Sequence, residues 1–492
     1  MNKAISCLVS IISLAVLVAG CGGGMSSSQA PTATNMTQAT LTIHDNPPMG
    51  VTVLSFEIEV TGAALQPSDS SKQPVSMLSE TEDIELEHLQ TESALLASKS
   101  VPTGTYNSLM VSFANPRMTI QNQTGSPLTL GSQMCAAQQV CEFNPKLNQS
   151  SVTVQSPTQP FPITLTMNSP VFLKMDFNLD ASIQSTDLSI TPTIGLMQLP
   201  PPSSSSGNQG DEDIGTVTSI GQNSFMIQTG MNGPSYTIAT DNNTQFDFGT
   251  SCSAENFSCL QTGQTVKVDA KMQSDGSLLA SDVKFFQPPN QMSFAGTVTS
   301  VGSGGGSFQI VVFDEESFGS DDMGSFSMGA PVTINLATGA TFSVDTGGFT
   351  LPSGLNFASS TDLMVGQKVR LHPMGAPTGT PPNLMITVDQ VQLEPSYVTA
   401  TITAINTGGN PQTFTLGTLP SFFTNAGIMS IQVDVLSKTP FETEEDQMVS
   451  GLSSFKTGDT VSVRGPLFNT MTTPTIVAEK VVSRSTSSGS ED

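Results

Sequence analysis

Six cysteines carry the clearest chemistry in this sequence, and their spacing sorts them by role. Cys7 lies inside an apolar N-terminal run. Cys21 stands directly behind the small pair Ala19-Gly20 at the end of that run. Cys135 and Cys141, and Cys252 and Cys259, form two local pairs. An exported chain meets an oxidising compartment, so these four are expected as disulfides. Zinc would require Cys-x-x-Cys knuckles or neighbouring histidines. Neither is present, so no metal and no cofactor are expected.

Catalytic signatures are missing. There is no Gly-x-Ser-x-Gly elbow, Walker loop, His-Glu-x-x-His or dinucleotide glycine fingerprint. Ser281-Asp282-Val283-Lys284 and Ser453-Ser454-Phe455-Lys456 match Ser-x-x-Lys, but both fall in strand-and-turn sequence. That motif needs a helix to bring its ends together. His44, His88 and His372 are isolated and read as surface or capping residues. Glu82, Asp83, Glu85 and Glu87 read as the solvated face of a helix near residues 84–97. No catalytic residue is assigned.

The elements that hold these residues begin with the N-terminus. Residues 1–20 carry Lys3, then an apolar run too short and too weakly flanked to span a bilayer. Val18-Ala19-Gly20-Cys21 resembles the lipobox of bacterial lipoproteins. That resemblance implies diacylglyceryl on the Cys21 sulfur, cleavage after Gly20 and acylation of the new amine. More than one acyl chain gives stable attachment, at ~0.8 kcal/mol per buried methylene. Gly22, rather than Asp, follows the cysteine, which in the lipoprotein family implies the outer membrane. Residues 21–38 form a flexible tether and residues 200–213 a Pro/Ser/Gly linker. Residues 485–492 form a polar tail expected to be disordered.

Between tether and linker, residues 39–199 show strand alternation at Leu41 and Ile43, at Phe56, Ile58 and Val60, and at Phe172, Met175 and Phe177. Leu41-Thr42-Ile43-His44-Asp45-Asn46-Pro47, Ile84-Glu85-Leu86-Glu87-His88-Leu89, Val101-Pro102-Thr103-Gly104-Thr105-Tyr106 and Leu173-Lys174-Met175-Asp176-Phe177-Asn178 together resemble the domain of unknown function 4382. The resemblance implies a β-sandwich and no known chemistry.

The C-terminal half repeats itself three times, over residues 214–287, 294–393 and 397–484. The copies open on Gly215-Thr216-Val217, Gly296-Thr297-Val298 and Ala400-Thr401-Ile402. A glycine-led block follows at Gly263, Gly366 and Gly458, and a Thr with a Phe close behind lies between, at Thr244/Phe246, Thr341/Phe342 and Thr439/Phe441. Each copy closes on an apolar strand near Val283, Val391 or Val481. Such strands suit a small closed barrel, which hides its edges. The copies resemble the domain of unknown function 5666. The fold class expected is therefore all-β, a sandwich followed by three small barrel-like repeats.

From opening residue to second-block glycine the copies span 48, 70 and 58 residues (263−215, 366−296, 458−400). The excess in copy two lies near residues 314–329 and holds Asp314, Glu315, Glu316, Asp321 and Asp322, interleaved with Phe318. Gly319 sits sixth from Asp314 as in a calcium loop, but Phe318 and Ser325 fail two ligand positions. The segment is expected to be an exposed contact loop with room for weak divalent-cation binding.

Charge narrows the partners. The formal net charge is −25, and without residues 1–20 the count is 15 basic (16−1) against 41 acidic. That surface repels phosphate backbones, so no nucleic-acid partner is expected. The expected partners are the membrane, through the lipid anchor, and an envelope protein or glycan. With no Trp and three Tyr, aromatic sugar platforms are scarce. The sequence reads as a non-catalytic, lipid-anchored envelope protein acting in adhesion, assembly or ligand binding. The alternative is an envelope hydrolase whose site carries no recognisable motif.

Overall fold

The computed structural model describes residues 36–46, 52–78, 80–87, 89–130, 133–156, 160–184, 187–201, 213–229, 235–248, 252, 254–285, 293–316, 328–346, 349–444, 447–470 and 473–484. Strands account for 57% of residues and helix for 5%, so the chain is all-β. Few Glu, Lys and Arg are available to cover helical surfaces, and the β-branched and aromatic residues settle into strands.

The N-terminal part is a two-sheet sandwich. One sheet runs in the order Ile194–Leu199, Val171–Asn178, Met36–Asn46, Ala94–Pro102, with the middle two strands parallel. The other is built on the long antiparallel pair Val53–Pro67 and Gly104–Gln121. Leu41, Ile43, Phe56, Ile58 and Phe177 are fully buried between the sheets. Phe177 packs on Phe56 and Phe113, with ring centroids 5.8 and 5.5 Å apart.

The helix expected near residues 84–97 does not form. Glu82–Glu85 is a strand paired with Val53–Pro67, turns follow, and Ala94–Pro102 is a strand of the first sheet. Ile84 lies opposite Ile58, and the backbone amide of Phe56 donates to Glu85 Oε1 at 2.9 Å. Pairing with an existing strand thus overrides the local helical preference of this Glu/Leu-rich stretch.

The repeats are three barrels of one plan. In the first, Asp213–Ile220, Ser224–Thr229, Ser235–Ala239, Leu278–Phe285 and Thr265–Met272 pair around a closed ring. Ile238 and Ala239 close it by running parallel to Leu278 and Leu279. The second closes through Pro331–Val344 against Leu384–Asn406, and the third through Ile431–Val435 against Thr475–Ala478, again in parallel. Leu384–Asn406 is a 23-residue strand serving both the second and the third barrel.

The repeated residues perform repeated tasks. Gly263, Gly366 and Gly458 all have φ near +90° (88°, 90°, 96°), which L side chains rarely adopt. Their amides donate to Val217, Val298 and Ile402 carbonyls at 2.8, 2.9 and 2.8 Å. Phe246, Phe342 and Phe441 lie opposite Val283, Val391 and Val481. Thr244, Thr341 and Thr439 hydroxyls donate to the carbonyls of Ala280, Asp389 and Ala478, on the closing strands.

Both expected disulfides are formed, Cys135–Cys141 and Cys252–Cys259. Each closes a short loop and restricts the unfolded chain by ~2–2.5 kcal/mol in the entropy model. Replacing Cys252 and Cys259 together by Ser should lower stability by about that amount, read from the urea midpoint of the first barrel. An unchanged midpoint would show that the bridge constrains nothing that matters.

Candidate functional site

The barrels pack onto the sandwich. Phe172, on the outer face of the first sheet, joins the core of barrel one beside Val217, Phe225 and Ile227. Tyr236 donates to the Leu95 carbonyl at 3.4 Å. Thr119 of the second sheet donates to the Gly329 carbonyl of barrel two at 2.5 Å, and Leu54 enters the core of barrel three.

Where sandwich, barrel two and barrel three meet, charge is concentrated. Of sixteen basic residues in the chain, Lys174, Lys368, Arg464, Lys480 and Arg484 lie here. Arg484 has a side chain 5% exposed. It donates to the Gln90 carbonyl and, at 2.8 Å, to Ser462 Oγ, and faces Glu444 at 3.6 Å. Lys174 donates to the Glu444 carbonyl at 2.9 Å, and Lys480 meets Glu442 at 2.9 Å. Arg464 bridges Glu92 of the sandwich and Glu479 of barrel three, both at 3.2 Å. Thr399 links Gln90 at 2.9 Å to Ser462 at 2.6 Å.

Burial shifts these groups. Asp45 is fully buried, and its carboxyl is pushed well above the usual range by burial, then by Glu87 and Asp176. Burial, with Glu85 alongside, raises Glu87 to about 8. It raises Asp176 to about 6 and Glu479 to about 7. His44, 3.6 Å from Asp176, is driven well below its ordinary value by burial, then by Lys174 and Arg484. Lys368 falls to about 8 through burial, opposed by Glu85, Glu87 and Glu92. Its ammonium lies over the Tyr397 ring at 4.0 Å and the Phe313 ring at 4.6 Å. Shifted titratable groups in one place mark a candidate site. Here they form a closed joint between domains.

This corrects two readings. His44 is buried beneath the barrels rather than exposed. Glu85 and Glu87 belong to the joint rather than to a solvated helix. Strand alternation shows which residues leave the sandwich core, not that a later domain covers them. His372 is a surface residue of barrel two, its Nδ1 bonded to Asp389 Oδ1 at 2.7 Å.

Of the remaining sequence candidates, Cys21, His88, Phe318, Asp321 and Asp322 lie outside the described residues. Asp314, Glu315 and Glu316 end the strand Ser307–Glu316, their backbones opposite Ala295, Phe294 and Ser293. The two Ser-x-x-Lys matches do not assemble. Ser281 donates to the Asp269 carbonyl in a strand, Lys284 pairs with Asp282 at 3.5 Å, and Ser453 sits in a short 3-10 turn. Among the described residues no three His, Cys, Asp or Glu side chains gather to hold a metal. Tyr106 and Tyr236 are buried, and Tyr397 lies inside the charged joint, so none presents a sugar platform.

The signal for the joint was present only as polar residues on outward strand faces, Thr40, Thr42 and His44 opposite Phe172, Lys174 and Asp176. No curated protein matches the chain. A solved structure titled "drosophila Unr CSD456" is 10% identical, covers 56% of this chain and 98% of that chain, and has a TM-score of 0.12. Residues 36–192 match the family model described as Domain of unknown function (DUF4382), and residues 214–284 match Domain of unknown function (DUF5666).

Proposed function

We propose that this chain is a non-catalytic, lipid-anchored protein of the cell envelope that presents its barrels as a rigid binding or assembly scaffold. The observation that carries this reading is the closed, charge-locked joint. It holds the shifted groups in ion pairs and hydrogen bonds at the boundary between domains and ties the domains into one body. Two disulfides agree with an extracytoplasmic setting. The shared pairing plan supports assigning barrels two and three to the same family as barrel one. The lipid on Cys21 supplies the membrane, with the outer membrane as destination and an envelope protein or glycan as partner.

Cys21→Ser tests the anchoring. The variant should accumulate as an unprocessed or soluble form when cells are fractionated. Full partition with membranes at the mature mass would overturn lipid attachment at this residue.

The alternative, an envelope hydrolase, draws on the shifted Glu87 and Lys368. It requires the joint to open, so substrate-dependent exposure of Lys368 to an amine-reactive reagent would favour it over the scaffold.

A further inference from the structure

Hydrophobic side chains are divided unevenly between the interior and the surface. The chain has 26 phenylalanines and 23 methionines, nearly equal numbers of large apolar residues. Among the described residues no phenylalanine is exposed. Of the large hydrophobic side chains that are, Ile220 is one, and the other seven are methionines between 39% and 71% exposed. Burial favours both residue types in the core, so a surface that keeps the thioether alone points to a property of sulfur.

Three of these methionines stand where strand alternation calls for a polar residue. Met110 lies between buried Leu109 and Val111 and faces Thr153 on the neighbouring strand. Met385 lies between buried Leu384 and Ile386 and faces Thr333. Met134 precedes buried Cys135 and faces Thr129. Met374 and Met448 are held through their backbones, against Thr387 and Glu442. Met167 lies in a turn, and Met429 in the loop between Ser421–Asn425 and Ile431–Val435. None of the seven belongs to a hydrophobic core, so a change at sulfur removes no core contact. Met77, Met118 and Met175, by contrast, are buried inside the sandwich.

The chain has no tryptophan, and its four described cysteines are joined in disulfides. The exposed thioethers are therefore the side chains on this surface most open to two-electron oxidation. Hypochlorous acid is an oxidant suited to them. Sulfur attacks the chlorine and hydroxide leaves. Water then displaces chloride from sulfur, and the sulfoxide forms with net release of one proton and one chloride. Sulfur loses two electrons and chlorine gains them. On an outward side chain the new oxygen meets water. At Met118 or Met175 it would be a buried acceptor without a donor, which costs stability and disrupts the core.

We propose that the seven exposed methionines form a renewable oxidant trap, which consumes hypochlorous acid at the surface before it reaches the methionines of the core. Methionine sulfoxide reductases are the partners that restore them. The reductase removes the oxygen as water while two thiols become a disulfide, and each sulfoxide epimer needs its own enzyme. The trap requires exposure of each sulfur and no convergence of side chains. It goes beyond the scaffold reading and does not depend on lipid attachment.

The test is a titration of the full chain, disulfides intact, with hypochlorous acid, read by peptide mass spectrometry and melting curves. Oxygen should appear first at the seven exposed methionines, while Met77, Met118 and Met175 stay unmodified. The melting temperature should hold up to about seven equivalents, one for each exposed sulfur. Incubation with both sulfoxide reductases and thioredoxin should return the thioethers. The variant M110L/M134L/M167L/M374L/M385L/M429L/M448L keeps side-chain volume and removes the exposed sulfurs. Its core methionines should be oxidised, and its melting temperature should fall, at roughly half the wild-type dose or less. The proposal fails if buried and exposed methionines of the wild type gain oxygen at equal rates, or if its first oxygens lower the melting temperature. It fails equally if the reductases leave the sulfoxides in place, or if the variant withstands the wild-type dose. The rate comparison, the melting curve and the reductase step use the wild type alone, so they decide the matter even where the variant does not fold.

Discussion

Arg484→Met should destabilise the protein by about 3 kcal/mol, the scale of breaking a buried ion pair from one side. The methionine fills much of the volume but returns no hydrogen bond. The Gln90 carbonyl, Ser462 hydroxyl and Glu444 carboxylate each lose a partner, and Glu444 stays among buried groups. Unsatisfied buried acceptors account for the loss, more than the pair's own attraction does. Arg484 and Gln90 lie 394 residues apart, so the damage should appear as loosening of the sandwich against barrel three. Urea denaturation gives the magnitude, and hydrogen exchange at residues 90–93 gives the location. Lys438→Met, at an exposed lysine, serves as the control and should cost under ~0.5 kcal/mol. If Arg484→Met costs no more than that control, the joint does not hold the domains together.

The barrels and the joint differ in how far they can be read from sequence. Gly263, Gly366 and Gly458 recur because each barrel needs the same left-handed turn, and the Thr/Phe pairs recur because each closing strand needs the same partner. Such tasks are local to one copy, so repetition exposes them. The joint is made by residues such as Gln90 and Thr399, 309 positions apart. No periodicity links them. Thr40, Thr42 and His44 alternate with buried Leu41 and Ile43 as the solvent face of any sandwich strand would. Only the position of the barrels converts that face into an interior. His372 was legible as a surface histidine, but the bulge that turns Asp389 onto it belongs to strand register, which composition does not reveal.

Stability should fall by about 2 kcal/mol as pH rises from 6.5 to 8, at pH values where many proteins change little. The cause is Glu87, protonated in the folded chain up to about 8 but ionised above about 4.5 once unfolded. Its folded value is raised, so its contribution is complete below the unfolded value and disappears as pH climbs through the folded one. Each unit over which the folded chain alone keeps the proton is worth about 1.4 kcal/mol. Glu85 faces Glu87 and strengthens the shift, while Lys368 and the Gln90 amide oppose it. Glu479, raised to about 7 among Arg464, Asp345 and Glu92, acts in the same direction over the lower part of the range. The opposing groups act only weakly in this window. His44 has a lowered folded value, so its effect is a gain with rising pH, most of it complete by about 6.5. Lys368, lowered to about 8, begins its gain just below that value and gives most of it above. Urea midpoints at pH 6.5, 7.2 and 8.0 measure the slope. Glu87→Gln keeps the shape and the contact with Gln90 but cannot ionise. It should flatten the slope and leave the variant more stable than the wild type at pH 8. A wild-type midpoint that holds steady or rises across this range, or a Glu87→Gln slope equal to the wild type's, would place the proton elsewhere.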